Sequence, residues 1–390
     1  MLRFLISLLL SCVCFCLSAE DLFTVRVWLL DKEGCGYSVT HPEEFLSERA
    51  ITRHKRDNVD FSLNDLPVSK RYKDEVTTIA KRLICHSKWL NTLVIECDSA
   101  KVEDVKNLPF VGRVEVLCRG EIVRNDIKSE FYNFGNIKRH PLYGVAKPIS
   151  TVVEASQAHK NGRWGKGVFI AVLDDGFGGV DSLCQWFDKD RIKFACDVVN
   201  PKGNIYSEDD HGTAVLSIML ANRIGEFVGV APESDYALIR TEDIGFETPF
   251  EEDFFVRGLE IADSLGVDIV NASLGYEQVG GITSVSCIAS EIATQKGIKV
   301  VTSCGNKGNG GFTHPADADG VIAVGGVDKH GRVIDFTSKK VVNGRYVVPK
   351  AKALASDVPV INGCGKIMNA YGTSFAAPAI SGSIAIKEDF

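Results

Sequence analysis

The sequence predicts an α/β fold in which a largely parallel sheet, covered on both faces, follows a smaller α+β unit. From about residue 167 onward, apolar strand-like segments alternate with helical segments, as they do when crossover helices connect parallel strands. Before about residue 140 the strands and helices follow a different order, and a polar stretch separates the two parts. We therefore expect two folding units in one chain.

Length and composition agree with this division. The chain has 390 residues, of which 45% are hydrophobic and 24% are charged, so it can bury a large core. A net charge of -7 provides no basic field for a nucleic-acid backbone, so no nucleic-acid partner is expected. After the N-terminal segment no stretch approaches the roughly 20 apolar residues that span a bilayer, so no membrane span is expected.

Residues 1–19 are predicted to be a secretion signal. Arg3 supplies a positive charge, an apolar run extends from Phe4 to Leu17, and Ser18-Ala19 completes a small-residue cleavage signal. Cys12 lies in a partial match to a bacterial lipoprotein signal, but the apolar run continues past it and favours ordinary cleavage over lipid attachment. The mature protein is therefore expected to be secreted or periplasmic.

Cysteine usage is compatible with export but defines no site. Removal of the signal leaves nine cysteines, an odd number that cannot all pair. Cys184 and Cys196 are the closest pair in the second half of the chain, although disulfide connectivity does not follow from sequence. No CxxC or cysteine and histidine spacing suggests structural zinc.

The N-terminal unit, predicted over residues 20–140, has its own succession of elements and contains no catalytic constellation. Its basic cluster Arg53-His54-Lys55-Arg56 is interpreted as a solvated face or turn, and Asn133 to Tyr143 as a polar linker. The predicted strands are Phe23 to Leu30, Leu93 to Cys97 and Val111 to Leu117, and the predicted helices are Pro42 to His54 and Ser99 to Leu108.

The second unit, predicted over residues 141–390, carries polar residues at the ends of its elements, where the chemistry of such sheets collects. The predicted strands are 167–174, 235–241, 267–273, 298–303 and 321–326, and the predicted helices are 211–222, 253–265, 284–296 and one that starts at Ser374.

Asp174 and His211 are the first two of these polar residues. Asp174 ends a continuously apolar strand, so it emerges from a buried setting and can orient a histidine. Acidic strand ends also serve phospho-acceptor and nucleotide-binding folds. His211 opens a helix, and Gly212 lets another backbone approach its ring closely. Neither residue identifies a reaction by itself.

Asn306 and Ser374 complete the set. Asn306 lies on a Gly-Asn turn after an apolar strand, where its amide can donate to a developing oxyanion or simply tolerate a left-handed turn. Ser374 lies in Gly372-Thr373-Ser374, where a glycine-loosened turn becomes a helix whose unpaired N–H groups stabilise an adjacent oxyanion. The order Asp, His, Asn, Ser, with gaps of 37, 95 and 68 residues, predicts a serine peptidase.

On these residues the chain resembles the subtilisin-like serine peptidases. The matching signatures surround Asp174, place His211 in His-Gly-Thr and place Ser374 in Gly-Thr-Ser before a small-residue helix. The resemblance implies a doubly wound parallel sheet, with Asp174 as the orienting acid, His211 as the general base and Ser374 as the nucleophile. It also implies that Asn306 donates to the oxyanion beside the backbone N–H of Ser374, and that Ser273-Leu274-Gly275 binds substrate as an added strand.

The resemblance extends to the N-terminal unit, because many family members are made with a prodomain of similar size that assists folding and then blocks the cleft. The chain's own prodomain is therefore expected to be an intramolecular inhibitor, released by self-cleavage between Leu117 and Val152. The chemistry requires no cofactor. Calcium is common in the family, but no cluster in this sequence has a ligand spacing that assigns a site.

The chain departs from the family pattern at three places. Asp175 stands where the family usually has serine or threonine, and its carboxylate either raises the basicity of the base or faces solvent. Cys304 places a thiol two residues before Asn306, which predicts sensitivity to mercurials. Sixteen residues follow Ser374, fewer than the family usually has.

The favoured function is a secreted serine endopeptidase that cleaves unfolded or extended polypeptides through an acyl-enzyme, with broad or apolar preference. The short segment after Ser374 motivates an alternative, a catalytically weak, subtilase-shaped peptide-binding protein. A more distant alternative is a phosphoryl-transfer domain that uses Asp174 and Asp175 around magnesium and has no role for His211. The absence of a Gly-rich phosphate loop after the first strand argues against it.

Overall fold

The computed structural model of the chain describes residues 22–120, 131–133, 135, 138–243, 245 and 248–390. The predicted secretion signal, including Cys12, lies outside these residues. All nine cysteines within them are free, so Cys184 and Cys196 are not joined. Across the described parts of the chain, no helix combines the length and the apolar character needed to cross a membrane.

Four antiparallel strands and three helices form the N-terminal unit. Its elements are β1 (Leu22–Leu29), α1 (Glu48–Arg56), α2 (Lys70–Ile79), β2 (Arg82–Ser87), β3 (Thr92–Asp98), α3 (Val102–Lys106) and β4 (Val111–Arg119). The strands pair in the order β2-β3-β1-β4. The three predicted strands are confirmed as β1, β3 and β4. Helix α2 was not predicted because it buries only Tyr72 and Val76, too few apolar residues to show a period.

The second unit is built on a seven-stranded sheet whose strands all run parallel. The strands of this unit are β5 (Phe131–Asn133), β6 (Phe169–Asp174), β7 (Ile192–Asp197), β8 (Asn222–Arg223), β9 (Phe227–Val228), β10 (Asp235–Arg240), β11 (Ile269–Ala272), β12 (Lys299–Ser303), β13 (Ile322–Val327), β14 (Lys340–Val342), β15 (Arg345–Val347), β16 (Ala351–Leu354), β17 (Val358–Ile361) and β18 (Ile367–Ala370). Its helices are α4 (Lys147–Val152), α5 (Ala155–Lys160), α6 (His211–Leu220), α7 (Glu251–Leu265), α8 (Val285–Gln295) and α9 (Ala376–Lys387).

The strand order places the ends of β6 and β11 at the centre of the sheet. The order is β16-β13-β12-β11-β6-β10-β7, so β7 and β10 lie on one side of β6, and from β11 onward the chain adds its strands on the other side. Such a reversal opens a crevice at the carboxyl ends of the two strands. The predicted α/β fold is confirmed, and its crevice lies where the polar residues of β6, β11 and β12 emerge.

The continuous apolar run of β6 reflects coverage of both its faces. All six residues of the strand are buried. Ile170 and Val172 belong to the apolar cluster that includes α6 and α9, whereas Ala171 and Leu173 belong to the cluster that includes α7 and α8. Alternate side chains therefore enter different layers, which is why the strand shows no polar alternation.

The predicted polar linker is wrong at its first residue. Asn133 ends β5, which pairs antiparallel with β18 and so adds a strand to the small sheet β17-β18-β5. Phe131 of the same strand lies 6.2 Å, between ring centroids, from Phe375. Residues 131–133 therefore pack against the second unit.

The N-terminal unit packs on α7 and buries charge there. The interpretation of the basic cluster as solvated is wrong for Arg53 and His54, which are 2% and 0% exposed. Arg53 forms an ion pair with Asp263 of α7 and donates to the carbonyl oxygen of Val267 at 2.7 Å. Because the acid lies 210 residues further along the chain, no local pattern around Arg53 could reveal it.

Candidate active site

Asp174 and His211 meet at the carboxyl edge of the sheet. Asp174, the last residue of β6, is 2% exposed, and its Oδ1 lies 2.7 Å from Nδ1 of His211, the first residue of α6. Gly212 allows the two elements to come this close. A Cβ at that position would lie 2.2 Å from the carbonyl oxygen of Gly176 and 3.0 Å from Cβ of Asp174.

This contact sets the tautomer of the imidazole. A carboxylate can only accept, so Nδ1 of His211 carries the proton and donates it to Asp174. In the neutral ring Nε2 is then an acceptor, as a general base requires. The backbone N–H of Asp175 donates to the same Oδ1 at 3.1 Å and helps to hold the carboxylate in place.

Ser374 lies on the turn that leads into α9. The turn Thr373–Phe375 follows Gly372, whose φ of 138° favours glycine. Ser374 is 6% exposed, and its hydroxyl has no hydrogen-bond partner among the described residues. The next side chain, Phe375, packs on the imidazole with 5.2 Å between the ring centroids. The turn and the start of α6 are therefore in direct contact.

Asn306 is oriented by the residue that precedes Ser374. Its Oδ1 accepts from the backbone N–H and from the hydroxyl of Thr373, each at 2.9 Å. A backbone N–H can only donate, so the atom facing it is the oxygen, and Nδ2 is the group that remains to donate. Gly305, with a φ of 97°, forms the turn that presents this amide.

The three residues predicted to bind substrate differ in exposure. Ser273 and Leu274 are 6% and 5% exposed, whereas Gly275 is exposed. The Ser273 hydroxyl donates to the carbonyl oxygen of Ser374 at 2.7 Å, so it supports the serine turn. A Cβ at Gly275 would lie 2.2 Å from Oγ1 of Thr313, so glycine is required for this approach. Of the three, only Gly275 is placed for a substrate strand to reach.

Asp175 is buried beside the Asp174 carboxylate. It is 4% exposed, so the interpretation that it faces solvent is wrong. Burial, and then the charge of Asp174, raise the pKa of Asp175 well above its usual range. The group therefore favours its neutral form and adds little negative charge to the site.

The Cys304 thiol is enclosed. Cys304 is 0% exposed, and its Sγ lies 3.5 Å from the carbonyl oxygen of Gly305 and 3.6 Å from that of Ser338. Burial raises the pKa of this thiol to about 12, so it has little thiolate character. The expected sensitivity to mercurials has no support at this residue.

The sequence analysis did not identify several residues that hold the site residues in place. Asn271 of β11 donates to the Ser273 hydroxyl at 3.1 Å and accepts from the Ser381 hydroxyl of α9 at 2.9 Å, which links β11 to the helix behind Ser374. Thr373 fixes Asn306 across 67 residues of chain. These roles depend on contacts between distant segments, so only the Gly-Thr-Ser motif itself offered a signal for Thr373.

Both units of the chain are similar to known proteins. Residues 165–389 match the subtilase family, and residues 24–130 match the peptidase S8 propeptide domain of Bacteroidota. The chain is 28% identical over 302 residues to a thermostable alkaline protease of Halalkalibacterium halodurans, covering 75% of this chain and 78% of that protein. It is 28% identical over 236 residues to subtilisin Savinase of Lederbergia lenta, covering 60% of this chain and 81% of that protein. It is 31% identical over 236 residues to alkaline elastase YaB of a Bacillus species, covering 60% of this chain and 57% of that protein.

Proposed function

The chain belongs to the subtilase family, and from this premise we propose that Asp174, His211 and Ser374 form the catalytic triad of a self-processed, exported serine endopeptidase. The family makes the protein a serine endopeptidase, and the propeptide match makes it a precursor. The observation that carries the triad is the 2.7 Å contact between Asp174 and His211 on the element that packs against the Ser374 turn.

The proposed reaction forms and hydrolyses an acyl-enzyme. Nε2 of His211 takes the proton of the Ser374 hydroxyl as Oγ attacks the substrate carbonyl carbon. The oxyanion accepts from Nδ2 of Asn306 and from the backbone N–H of Ser374. His211 returns the proton to the leaving amine, and water then attacks the acyl-enzyme by the same proton transfers in reverse. No metal ion or cofactor enters these steps, and calcium remains a structural possibility without an assigned site.

We propose that polypeptide substrates bind in extended form against the main chain at Gly275. The exposure of that residue beside the buried Ser273 supports this placement. The N-terminal unit is the proposed intramolecular inhibitor, and we place its release by self-cleavage between Leu117 and Val152. Export rests on the predicted signal in residues 1–19.

A fluorophosphonate probe tests the nucleophile. The processed wild-type protein should take up label on Ser374, and the Ser374→Ala precursor should neither label nor mature, as intact mass spectrometry would show. Ser182→Ala, which removes an exposed serine, is the matched control and should label and mature normally. If the processed protein takes up no label, or Ser374→Ala labels equally, the alternative of a weakly catalytic peptide-binding protein replaces this proposal.

A further inference from the structure

A second cluster of reactive side chains lies outside the proposed triad. Cys287 comes from α8, and His314 and Asp317 come from the segment between β12 and β13. Sγ of Cys287 lies 3.2 Å from Nδ1 of His314 and 3.5 Å from Oδ1 of Asp317, and Nδ1 lies 2.7 Å from Oδ1. A thiol, an imidazole nitrogen and a carboxylate oxygen therefore converge on one point.

The orientation of His314 suits a ligand role. Its Nε2 lies 2.8 Å from Oε1 of Gln278, an oxygen that can only accept, so Nε2 carries a proton. In the neutral ring Nδ1 is then the atom with a lone pair, and it faces the thiol and the carboxylate. A hydrogen bond of this kind to the distal nitrogen fixes the orientation of metal-binding histidines in general.

The distances agree with a small tetrahedral ion. A zinc ion with sulfur at about 2.3 Å and nitrogen or oxygen at about 2.0 Å separates its ligand atoms by roughly 3.3–3.6 Å. The three observed separations lie at or below this range, and the shortest one widens by a small rotation of Asp317, whose side chain is 39% exposed. That exposure also admits water as a fourth ligand.

The field at this cluster favours positive charge. The Asp317 carboxylate lies 2.7 Å from Nδ1 of His314 and 3.5 Å from Sγ of Cys287, so negative charge faces both of the other ligand atoms. A divalent cation bound by the three groups would displace the thiol proton of Cys287, and a proton held on Nδ1 of His314, to solvent.

We propose that Cys287, His314 and Asp317 bind a divalent transition-metal ion of the zinc class. One sulfur, one nitrogen and one oxygen ligand suit zinc, cobalt or cadmium, whereas calcium and magnesium require shells of oxygen. The site is distinct from the calcium binding expected of the family, and it revises the sequence-based view that no cysteine and histidine spacing suggests zinc.

A bound metal ion would stabilise the segment beside Gly275, which forms one wall of the proposed substrate cleft. His314 exchanges two backbone hydrogen bonds with Tyr276, at 2.8 and 3.0 Å, and Tyr276 directly follows Gly275. An ion would join this segment to α8 through a bond stronger than the present hydrogen bonds. We therefore expect stabilisation of the cleft wall by metal, whether or not the triad is intact.

Cobalt uptake by the full-length Ser374→Ala precursor tests the site without self-digestion. Cobalt should bind with one saturable equivalent per chain, produce a thiolate-to-cobalt charge-transfer band, and be displaced by zinc. Zinc should also raise the midpoint of thermal unfolding by mass action. Cys287→Ser should abolish the band and the zinc-dependent rise, and Asp317→Asn should weaken both.

The exposed Cys184 provides the matched control. Cys184→Ser should keep the band and the thermal shift. In the unaltered cysteine background, zinc should protect Cys287 from alkylation and leave Cys184 and Cys364 reactive, which tests the site without relying on a variant that must fold. A band retained in Cys287→Ser, or equal alkylation of Cys287 with and without zinc, would overturn the proposal.

Discussion

Two buried aspartates, Asp175 beside the proposed triad and Asp263 beneath the N-terminal unit, have opposite surroundings. Asp175 lies next to another acid, and burial and the charge of Asp174 raise its pKa. Burial also opposes ionisation of Asp263, but the hydrogen bond to His54 and the charge of Arg53 hold its pKa below the usual range. The interface thus stabilises the ionised form of Asp263, whereas the active site destabilises the ionised form of Asp175.

Hydrogen bonding, in contrast, is incomplete in both regions, because Oδ2 of Asp263 also has no hydrogen-bond partner among the described residues. Among the described residues, Oδ2 of Asp174, Oδ1 of Asp175 and Oγ of Ser374 are buried without a hydrogen-bond partner. At the interface, Oε1 of the fully buried Glu260 accepts from the Ser87 hydroxyl at 2.6 Å and from the backbone N–H of Trp89 at 2.9 Å. Leaving a buried polar group unpaired costs about 1–3 kcal/mol, so unpaired atoms lower the stability of both regions, and the two aspartates differ in the charges around them.

The largest effect is expected from a substitution that breaks the contact between Asp174 and His211. In Asp174→Asn the side-chain amide can donate to Nδ1, which moves the imidazole proton to Nε2 and removes the base. Self-processing of the precursor should slow by about 10⁴-fold, as measured by mass spectrometry over time. Asp181→Asn, on the exposed surface, is the control and should process normally. A loss below tenfold would mean that His211 does not depend on Asp174.

The next effect is expected at the interface. Asp263→Asn removes the carboxylate that pairs with Arg53 and Lys88, and removing one partner of a buried pair costs about 3–5 kcal/mol. The thermal midpoint of the Ser374→Ala precursor should fall at neutral pH. Because the pKa of Asp263 is lowered on folding, its contribution is present above the ordinary aspartate pKa near 4 and fades at lower pH. The difference between variant and parent should therefore shrink in acid.

An exposed ion pair provides the control for this variant. Asp74 pairs with Lys70 on α2, and its side chain is 62% exposed. Asp74→Asn should cost less than about 1 kcal/mol at any pH. Equal effects of the two variants would show that the buried charges under the N-terminal unit are not what holds it in place.

A somewhat smaller effect is expected at Asn306. Asn306→Ala removes the proposed side-chain donor to the oxyanion and should slow self-processing by about 10²–10³-fold, a magnitude known from subtilisin. Thr373→Val keeps the backbone contact and removes only the hydroxyl contact to Oδ1, so its effect should be smaller. Asn161→Ala, at the exposed end of α5, serves as the control, and an equal rate in Asn306→Ala would remove this residue from the site.

The sequence allowed the prediction of elements whose surroundings are uniform. Strand β6 is apolar throughout because both faces are covered, and the polar residue at its end was therefore visible as a candidate. Strand β7 was missed because it lies at the sheet edge, where its burial alternates and its apolar run is broken. The burial of Arg53 was also missed, because a charged residue is usually exposed and nothing in the neighbouring sequence shows that the second unit covers it.

The sequence indicated which residue types lie at the site, but not which other segments of the chain cover or contact them. The strand ends and helix starts placed Asp174, His211 and Ser374 at one edge of the sheet. The exposure of Gly275 and the burial of Ser273 could not be predicted, because alternation along three residues does not say which of them another segment covers. The sequence also could not show that Asp175 is buried, because the residues that cover it belong to other elements of the fold.

The smallest effect is expected at Asp175, where substitution should raise the stability of the protein instead of lowering it. In the unfolded chain this aspartate ionises near pH 4, whereas in the folded protein its raised pKa keeps the proton bound to higher pH. Wild-type stability therefore falls as pH rises from about 4 to the folded pKa. Asp175→Asn removes this penalty, so in the Ser374→Ala background it should raise the thermal midpoint by a few degrees at neutral pH. The gain should vanish toward pH 4, whereas the effect of Asp263→Asn should fade only below that pH. A lower midpoint at neutral pH would mean that the Asp175 carboxylate supports the fold, and the contrast between the two buried aspartates would fail.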